Sequence, residues 1–449
     1  MSETFDIRVL AVELQSLGVR TVGGVPREET RAGGAGPSDA GFVWFDGAPL
    51  TVPVHGDYVE SSPFEVRMKD SGESGTLYRE DVEVGPIRLH PRPRIYDLET
   101  ADGVPYWKIG LMHLDSFAST VMQHCVYWGT DQQCHFCAIG TSLANGRTVP
   151  VKTPELLAEV AAAAQRLDGA KDVTLTTGSP NRGDRGAPYM ARCAEAIRDA
   201  SGLPVQVQIE PPDDFGWFPH LKDSGVEALG LHLEVWDEDV LARVAPGKHA
   251  QGRDYYLRAW DAAVETFGHG QVSTYFILGL GESVASAVEG AKVAIDHGVY
   301  PFVVPLRPSP GSIRFGDVPP SVAHVTEVYE QIAPLLADAE MLSQNARAGC
   351  VRCQACSALS TFERTYGGGR NEAGPIGPLT TATSERAPAP AVAERRPSIT
   401  VREVAGPDEL TAHHRIRQAV FVDEQGIFPE HDLDEWDHSA IHVIAELDG

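Results

Sequence analysis

The segment Thr153-Pro-Glu-Leu-Leu-Ala-Glu-Val-Ala-Ala-Ala-Ala-Gln-Arg-Leu-Asp-Gly169, followed by Asp172-Val-Thr-Leu-Thr-Thr177, indicates how the chain folds. Thr153 can cap a helix with Pro154 in its first turn, apolar residues then recur at helical spacing, and Gly169 is typical of a helix end. The run 172–177 is short and extended in character. A capped helix followed at once by a strand predicts a β/α unit.

Segments of the same two kinds alternate from about residue 115 to residue 310. Extended apolar runs occur at 204–209, 228–235, 271–278 and 300–306, and one more precedes Cys125. Together with 172–177 they predict six strands that are apolar on both faces, as parallel strands covered by helices are. We therefore expect an α/β fold with a partial (β/α)6 TIM-like barrel, since eight units are needed to close one.

Composition divides the 449 residues further. We expect a β-rich region over 1–110, with a hairpin turned by Asp46-Gly47, and the barrel over 111–345. A Cys-rich tail at 346–366 precedes a Gly-, Pro- and Ala-rich stretch at 367–397, which predicts a disordered linker. A strand restarts the pattern at 398 and begins an incomplete α+β segment over 398–449.

Net charge and cysteine content exclude several classes of function. The formal net charge is −26, which argues against nucleic acid and anionic membrane surfaces as partners, because both require clustered Lys and Arg. We see no signal sequence and no apolar run long enough to span a membrane. Six of the seven cysteines stand in two tight groups, a metal-binding pattern of a reducing compartment. We therefore predict a cytoplasmic protein.

The first group, Cys125-x8-Cys134-His-Phe-Cys137, is called the first cysteine triad below. Three thiolates without a fourth suit an iron–sulfur cluster that keeps one iron open, because electron-transfer clusters usually take four cysteines. A zinc site that lacks its fourth ligand, or three unrelated thiols, are the alternatives.

Polar residues and glycines gather where the predicted strands end, the edge at which β/α barrels build active sites. His232 and Glu234 fall on one face by strand alternation. The other strand ends carry Thr176-Thr-Gly178, Glu210, Gly279-Leu-Gly281-Glu282 and Arg307.

With the triad, these strand ends resemble the radical S-adenosylmethionine (radical SAM) superfamily over residues 115 to 310. The superfamily's usual spacing is Cys-x3-Cys-x2-Cys, so the first gap departs from it. The resemblance implies that the first cysteine triad holds a [4Fe–4S] cluster whose fourth iron binds SAM. It implies SAM-binding roles for Phe136 at the adenine, Thr176, Thr177 and Gly178 at the amino group, His232 and Glu234 at the ribose, and Gly279, Gly281 and Glu282 near the adenine. Lys248 is either a ligand of the SAM carboxylate or a solvated loop lysine.

The resemblance also implies a reaction class. A one-electron reductant such as flavodoxin or ferredoxin would reduce the cluster, and SAM cleavage would yield a 5′-deoxyadenosyl radical that abstracts hydrogen from a small-molecule substrate. Arg31-Ala-Gly-Gly-Ala-Gly-Pro-Ser-Asp39 and Gly349-Cys-Val-Arg-Cys-Gln-Ala-Cys356 further resemble radical SAM proteins encoded beside a nitrilase, which suggests nitrogen metabolism. The alternatives are a sulfur-inserting radical SAM enzyme with a sacrificial auxiliary cluster, and a zinc-stabilised, non-catalytic binding protein.

Cys350, Cys353 and Cys356 form the second cysteine triad, Cys-x2-Cys-x2-Cys. A second iron–sulfur cluster, structural zinc with a remote ligand, and free thiols are the three readings of this spacing. Cys193, alone on a predicted helix, is expected to be packed core.

Residues 398–449 resemble the opening third of a GNAT-type N-acyltransferase, through 415–417, 420–425, 434–437 and His442. The acetyl-CoA loop of such domains would lie beyond residue 449. We therefore expect this tail to be inactive as an acyltransferase.

Overall fold

The computed structural model describes residues 6–21, 30–31, 40–69, 74–370, 398–424, 431, 433, 437 and 442–448. Most of the predicted linker (371–397) and the glycine-rich motif at 32–39 lie outside these ranges. The chain divides into two compact units, residues 1–373 and 374–449. The division lies within the predicted linker, and the other domain boundaries stay predictions.

The N-terminal region is β-rich, as its sequence predicts. Helix α1 (Ile7–Leu17) precedes a six-stranded sheet in the described residues, whose order is β1-β4-β5-β6-β2-β3. Asp46 and Gly47 both have positive φ, as a two-residue hairpin turn between paired strands requires. The strands are β1 (Arg20–Thr21), β2 (Ala40–Phe45), β3 (Ala48–Pro53), β4 (Phe64–Met68), β5 (Ser74–Arg79) and β6 (Val82–Leu89).

The second sheet curls into a partial barrel. Six of its described strands, β8 to β13, are parallel and lie in chain order, and β7 adds an antiparallel edge beside β8. This confirms the predicted partial (β/α)6 barrel. The strands are β7 (Leu111–His113), β8 (Ser116–Thr120), β9 (Asp172–Thr176), β10 (Val205–Gln208), β11 (Val226–Gly230), β12 (Val272–Leu278) and β13 (Val299–Pro305).

Helices cover the outer face of this sheet. The helix predicted after Thr153 forms, with the Thr153 hydroxyl accepting from the N–H of Leu156 and Gly169 ending it in a left-handed conformation. Cys193 is fully buried, as expected. The helices are α2 (Tyr106–Ile109), α3 (Ile139–Ala144), α4 (Pro154–Asp168), α5 (Ala187–Ser201), α6 (Trp217–Asp223), α7 (Glu238–Val244), α8 (Pro246–Gln251), α9 (Arg253–Phe267), α10 (Val284–Asp296) and α11 (Val322–Asp338).

The fourth parallel strand is shorter than its sequence predicts. Strand β11 ends at Gly230, although apolar alternation continues to Val235. Glu234 has φ = 77°, a left-handed value that a non-glycine residue rarely adopts, and it keeps only a single bridge to Phe276. The regular hydrogen bonding between β11 and β12 therefore ends just before His232 and Glu234.

The Cys-rich tail packs against both preceding parts. It contains α12 (Gly349–Cys353) and α13 (Leu359–Glu363). Gln15 of α1 donates to Ala355 O (2.8 Å) and accepts from Ala358 N (2.8 Å). Trp44, Leu114, Cys353 and Ala355 form one buried cluster. The N-terminal region, the barrel edge and the tail therefore share a core.

The second unit pairs β14 (Ser398–Glu403) with β15 (Val443–Asp448), antiparallel, and contains helix α14 (Pro407–Arg417). Its resemblance to GNAT acyltransferases stays a prediction. Among the described residues, no helix has the length and apolar content that crossing a membrane requires.

Candidate active site

A cavity of about 340 Å³ occupies the interior of the partial barrel. Its wall is formed mainly by residues at and beyond the carboxyl ends of the parallel strands. Both cysteine triads contribute to it, the first with all three members and the second with Cys350 and Cys356. The predicted residues in its wall are Cys125, Cys134, Phe136, Cys137, Thr176, Thr177, Gly178, His232, Glu234 and Lys248.

The long gap in the first cysteine triad is a folded loop. Trp128 N–H donates to Cys125 O (2.9 Å), and the side chain of Gln133 accepts from Gly129 N–H (2.8 Å), so the inserted residues close on themselves. The N–H of Cys137 then donates to Cys134 O (3.1 Å). The insertion therefore bulges outward while its three cysteines still meet one cavity.

Contacts with neighbouring elements hold this loop in place. Val126 N–H donates to Ser179 O (2.9 Å), just beyond β9, and His135 N–H donates to Val244 O (2.8 Å) at the end of α7. Gly178 packs so closely that a Cβ atom there would lie 2.0 Å from His124 O. Only glycine allows the loop and the end of β9 to approach this far.

The three sulfurs of the first cysteine triad suit a cluster better than a single ion. All three cysteines are free, and burial raises the pKa of each thiol, that of Cys137 to about 12. Buried thiols are chemically quiet until a metal displaces their protons. A tetrahedral zinc ion with Zn–S bonds of about 2.3 Å would hold sulfurs about 3.8 Å apart.

The spacing that one shared ion requires is not found at either cysteine triad. Among the described residues, three ligand atoms lie within 4.8 Å of one another at His413, His414 and His442, in the second unit. The sulfurs of neither triad meet this condition. An iron–sulfur cluster uses a separate iron for each thiolate and so accepts wider separations. The residues at the first triad fit such a cluster.

His232 presents a hydrogen-bond donor to the cavity. Its Nδ1 accepts from Tyr275 N–H (3.2 Å), so the neutral ring carries its proton on Nε2, which has no partner among the described residues. Burial, with Lys248 nearby, lowers the pKa of His232 to about 3. The ring stacks on Tyr275 at a centroid distance of 4.3 Å, which fixes its orientation.

Glu234 and Lys248 form a buried ion pair beside this ring. Lys248 Nζ donates to Glu234 Oε1 (2.9 Å) and to His232 O (2.5 Å), and the two side chains are only 8% and 9% exposed. The solvated-lysine alternative is therefore wrong. Burial opposes the charged form of Lys248, but the Glu234 carboxylate outweighs it and holds the lysine pKa well above its usual value. Glu234 Oε2 has no partner in the described part of the chain.

Gly279, Gly281 and Glu282 are not part of the cavity wall. The Glu282 carboxylate accepts from Gly279 N–H (2.8 Å), Leu280 N–H (2.9 Å) and Gly281 N–H (3.1 Å), and His324 Nε2 lies 3.0 Å from its Oε1. Glu282 therefore closes its own loop beyond β12. The structure does not bring this predicted group together with the others.

Several polar residues of the cavity were not among the predicted site residues. Tyr275 lies within β12 and gives no motif signal, Arg31 comes from the N-terminal region, and His113 ends the edge strand β7. Gln208 ends β10 and Arg307 follows β13, so their position at a strand end was the available signal. Arg307 Nη2 donates to Thr51 O (2.6 Å), while Nη1 has no partner within the described residues.

Sequence comparison identifies the central part of the chain. Residues 129–291 match the Radical SAM superfamily. A bacteriochlorophyllide c C-7(1)-hydroxylase from Chlorobaculum limnaeum is 34% identical over 134 residues, which are 30% of this chain and 33% of that relative. The chain thus matches about a third of the length of this curated relative.

Two solved structures are also similar. Methylornithine synthase (PylB) has a TM-score of 0.41 and 13% identity, covering 65% of this chain and 86% of that one. HydG, a maturase of the [FeFe]-hydrogenase, has a TM-score of 0.39 and 19% identity, covering 51% and 50%. The superfamily match includes Cys134, Cys137, His232 and Glu234, all of which reach the cavity. Residues 129–291 therefore form a radical SAM superfamily domain.

Proposed function

We propose that this chain cleaves SAM reductively and uses the resulting radical to abstract hydrogen from a small molecule held in the barrel. The observation that carries the proposal is the convergence of three free cysteines, His232 and Glu234 on one cavity at the carboxyl ends of parallel strands.

The first cysteine triad would hold a [4Fe–4S] cluster by three thiolates and leave its fourth iron for the amino and carboxylate groups of SAM. When bound there, the cluster would supply one electron to the sulfonium of SAM, and cleavage of the C–S bond would give methionine and a 5′-deoxyadenosyl radical. A one-electron donor such as flavodoxin or ferredoxin, in the cytoplasm, would supply that electron.

The chain's own residues would orient SAM. His232 Nε2–H and Glu234 Oε2, which have no partner among the described residues, are a donor and an acceptor two positions apart in the chain, which suits the two hydroxyls of a ribose. Lys248 Nζ uses two of its N–H groups on Glu234 and on His232 O, which leaves a third for a carboxylate of the ligand. Phe136 would lie against the adenine, and the 176–178 segment would meet the amino group through its main chain.

Barrel and N-terminal region together would keep water away from the radical. Arg31, outside the barrel, lines the same cavity, and it is held by hydrogen bonds from Nη1 to Trp107 O (3.1 Å) and Arg147 O (2.6 Å). A radical that abstracts hydrogen must be shielded from side reactions, and a site inside the barrel reduces its contact with water.

A second candidate is sulfur insertion from a sacrificial auxiliary cluster. The observation that favours it is that Cys350 and Cys356 face the same cavity as the first cysteine triad. Loss of one cluster per turnover would identify this reaction. A role in nitrogen metabolism, suggested by the nitrilase-associated resemblance, stays part of the proposal.

The proposal is tested by anaerobic reconstitution, reduction and incubation with SAM, followed by measurement of 5′-deoxyadenosine. Wild type and Cys193→Ala, which alters a buried cysteine far from the triad in sequence, should both form it. Cys134→Ala should form none while its far-UV circular dichroism spectrum stays that of wild type. Formation of 5′-deoxyadenosine by a folded Cys134→Ala variant would refute the proposal.

A further inference from the structure

We propose that the second cysteine triad holds a second iron–sulfur cluster, which faces the same cavity as the first. This site goes beyond the proposed function, because its existence does not depend on SAM cleavage.

Hydrogen bonds attach the start of the second triad's segment to two barrel strands. Gly349 N–H donates to Asp172 Oδ2 (2.6 Å), and Asp172 is the first residue of β9. Cys350 N–H donates to Gln206 Oε1 (3.0 Å), on β10. The Cys350 sulfur then reaches Gln208, the last residue of β10, and so points into the barrel.

The turn that carries the cysteines is held rigidly. Gln354 has φ = 66°, which reverses the chain between Cys353 and Cys356. Ala355 O accepts from Thr51 N–H (2.7 Å) as well as from the Gln15 side chain. The N-terminal region thus fixes the loop from two sides, so the cysteines are positioned before any ligand arrives.

The sulfurs that face the cavity are surrounded by hydrogen-bond donors. Gln208 Nε2 donates to Cys350 Sγ (3.3 Å), and the Thr51 hydroxyl lies 3.7 Å from Cys356 Sγ. Tyr275 adds a hydroxyl to Cys350, and Arg307 brings a positive charge towards Cys356. Neutral structural thiols need no such surroundings, whereas buried thiolates of a cluster do.

Cys353 lies behind the cavity wall, with its thiol directed at His113 O (3.5 Å). Binding iron would remove the Cys353 proton and replace this weak hydrogen bond by a metal–sulfur bond.

A cluster fits this triad better than zinc does. Structural zinc needs four ligands about 3.8 Å apart. In the ranges that the structure describes, no group of three or more His, Cys, Asp or Glu ligands that includes a sulfur of this triad gathers within 4.8 Å. Three thiolates at wider spacing, with an opening onto the cavity, correspond to a [4Fe–4S] cluster with one iron free of protein ligands.

The test counts iron and sulfide after anaerobic reconstitution. Wild type and Cys193→Ala should each bind about eight irons and about eight sulfides per chain, two [4Fe–4S] clusters. A variant with all three cysteines of the second triad changed to Ala should retain about four of each. A variant with the first triad changed to Ala should also retain about four, with a different electron paramagnetic resonance spectrum after reduction.

Two outcomes would overturn the inference. One is about four irons in wild type, all of them kept by the second-triad variant. The other is zinc in wild type that the second-triad variant lacks. If that variant does not fold, the wild-type iron count decides alone, about eight supporting and about four opposing. A first-triad variant that keeps every iron would instead refute the proposed function and leave the second site standing.

Discussion

Replacing Lys248 by methionine should leave the Glu234 side chain without its cation inside the barrel. Lys248 Nζ lies 2.9 Å from Glu234 Oε1, and neither side chain is more than 9% exposed. At an effective dielectric constant of about 20, the attraction at this distance is about 6 kcal/mol, and desolvation of both ions offsets much of it. Removing the cation alone keeps the desolvation cost of Glu234 and forfeits the attraction. We expect Lys248→Met to lose about 3–5 kcal/mol of unfolding free energy.

The double variant Lys248→Met/Glu234→Gln separates the pair from the packing of its side chains. With both charges removed, no ion is left unpaired, so we expect this variant to lose at least about 2 kcal/mol less than Lys248→Met. Urea unfolding at neutral pH, followed by tryptophan fluorescence, measures both losses, and equal m-values would show that the unfolded states are comparable.

The reasoning is refuted if the single and the double variant lose the same stability to within about 0.5 kcal/mol. It is also refuted if Lys248→Met loses less than about 1 kcal/mol, the range of an exposed ion pair. Either result would mean that water reaches Glu234 in the folded protein.

Two further predictions concern the same cavity. The His232 ring faces Lys248 and Tyr275, and burial lowers its pKa to about 3 in the folded protein. In the unfolded chain the ring takes up a proton near pH 6.5. The stability that the neutral ring contributes is therefore intact above pH 6.5 and is lost as the pH falls towards 3. Between pH 7 and 5, the unfolding free energy of His232→Gln should therefore fall by about 2 kcal/mol less than that of wild type. Urea unfolding at each pH measures both, and an equal fall in the two proteins would contradict the prediction. Gly178→Ala places a Cβ 2.0 Å from a main-chain oxygen and should lose about 1–3 kcal/mol and part of the first-triad iron. Gly316→Ala, whose Cβ meets nothing within 4 Å, is its control, and equal stability and iron in the two variants would show that the loop accommodates the methyl group.

Local chemistry explains why much of the barrel could be predicted. The helix Pro154–Asp168 begins and ends where its cap and glycine predict, because Thr153 satisfies a free N–H and Gly169 adopts a left-handed φ without strain. The six parallel strands could be located because strands covered on both faces are apolar throughout. The spacing of the first triad likewise indicates a shared ligand, since its cysteines lie within one loop.

Residues that act through distant partners were harder to assign. Lys248 has the sequence context of a surface loop, and only the left-handed Glu234 fourteen positions earlier shows why it is buried. Gly279, Gly281 and Glu282 match a binding motif, yet Glu282 satisfies its own loop instead. In both cases the deciding contact is a hydrogen bond that no local pattern encodes.

From its sequence alone, this chain could be assigned a partial parallel barrel, a cysteine loop at one end of it and a second group of cysteines of unknown partner. Capping, periodicity and spacing are short-range properties, and they are written in neighbouring residues. Only the tertiary structure shows that Cys350 and Cys356 share a cavity with residues more than 200 positions earlier, and that Arg31 and Arg307 reach the same space. Such contacts depend on how the N-terminal region and the tail pack against the barrel. Charged groups and thiols can be buried there because this packing brings hydrogen-bond and charge partners to them.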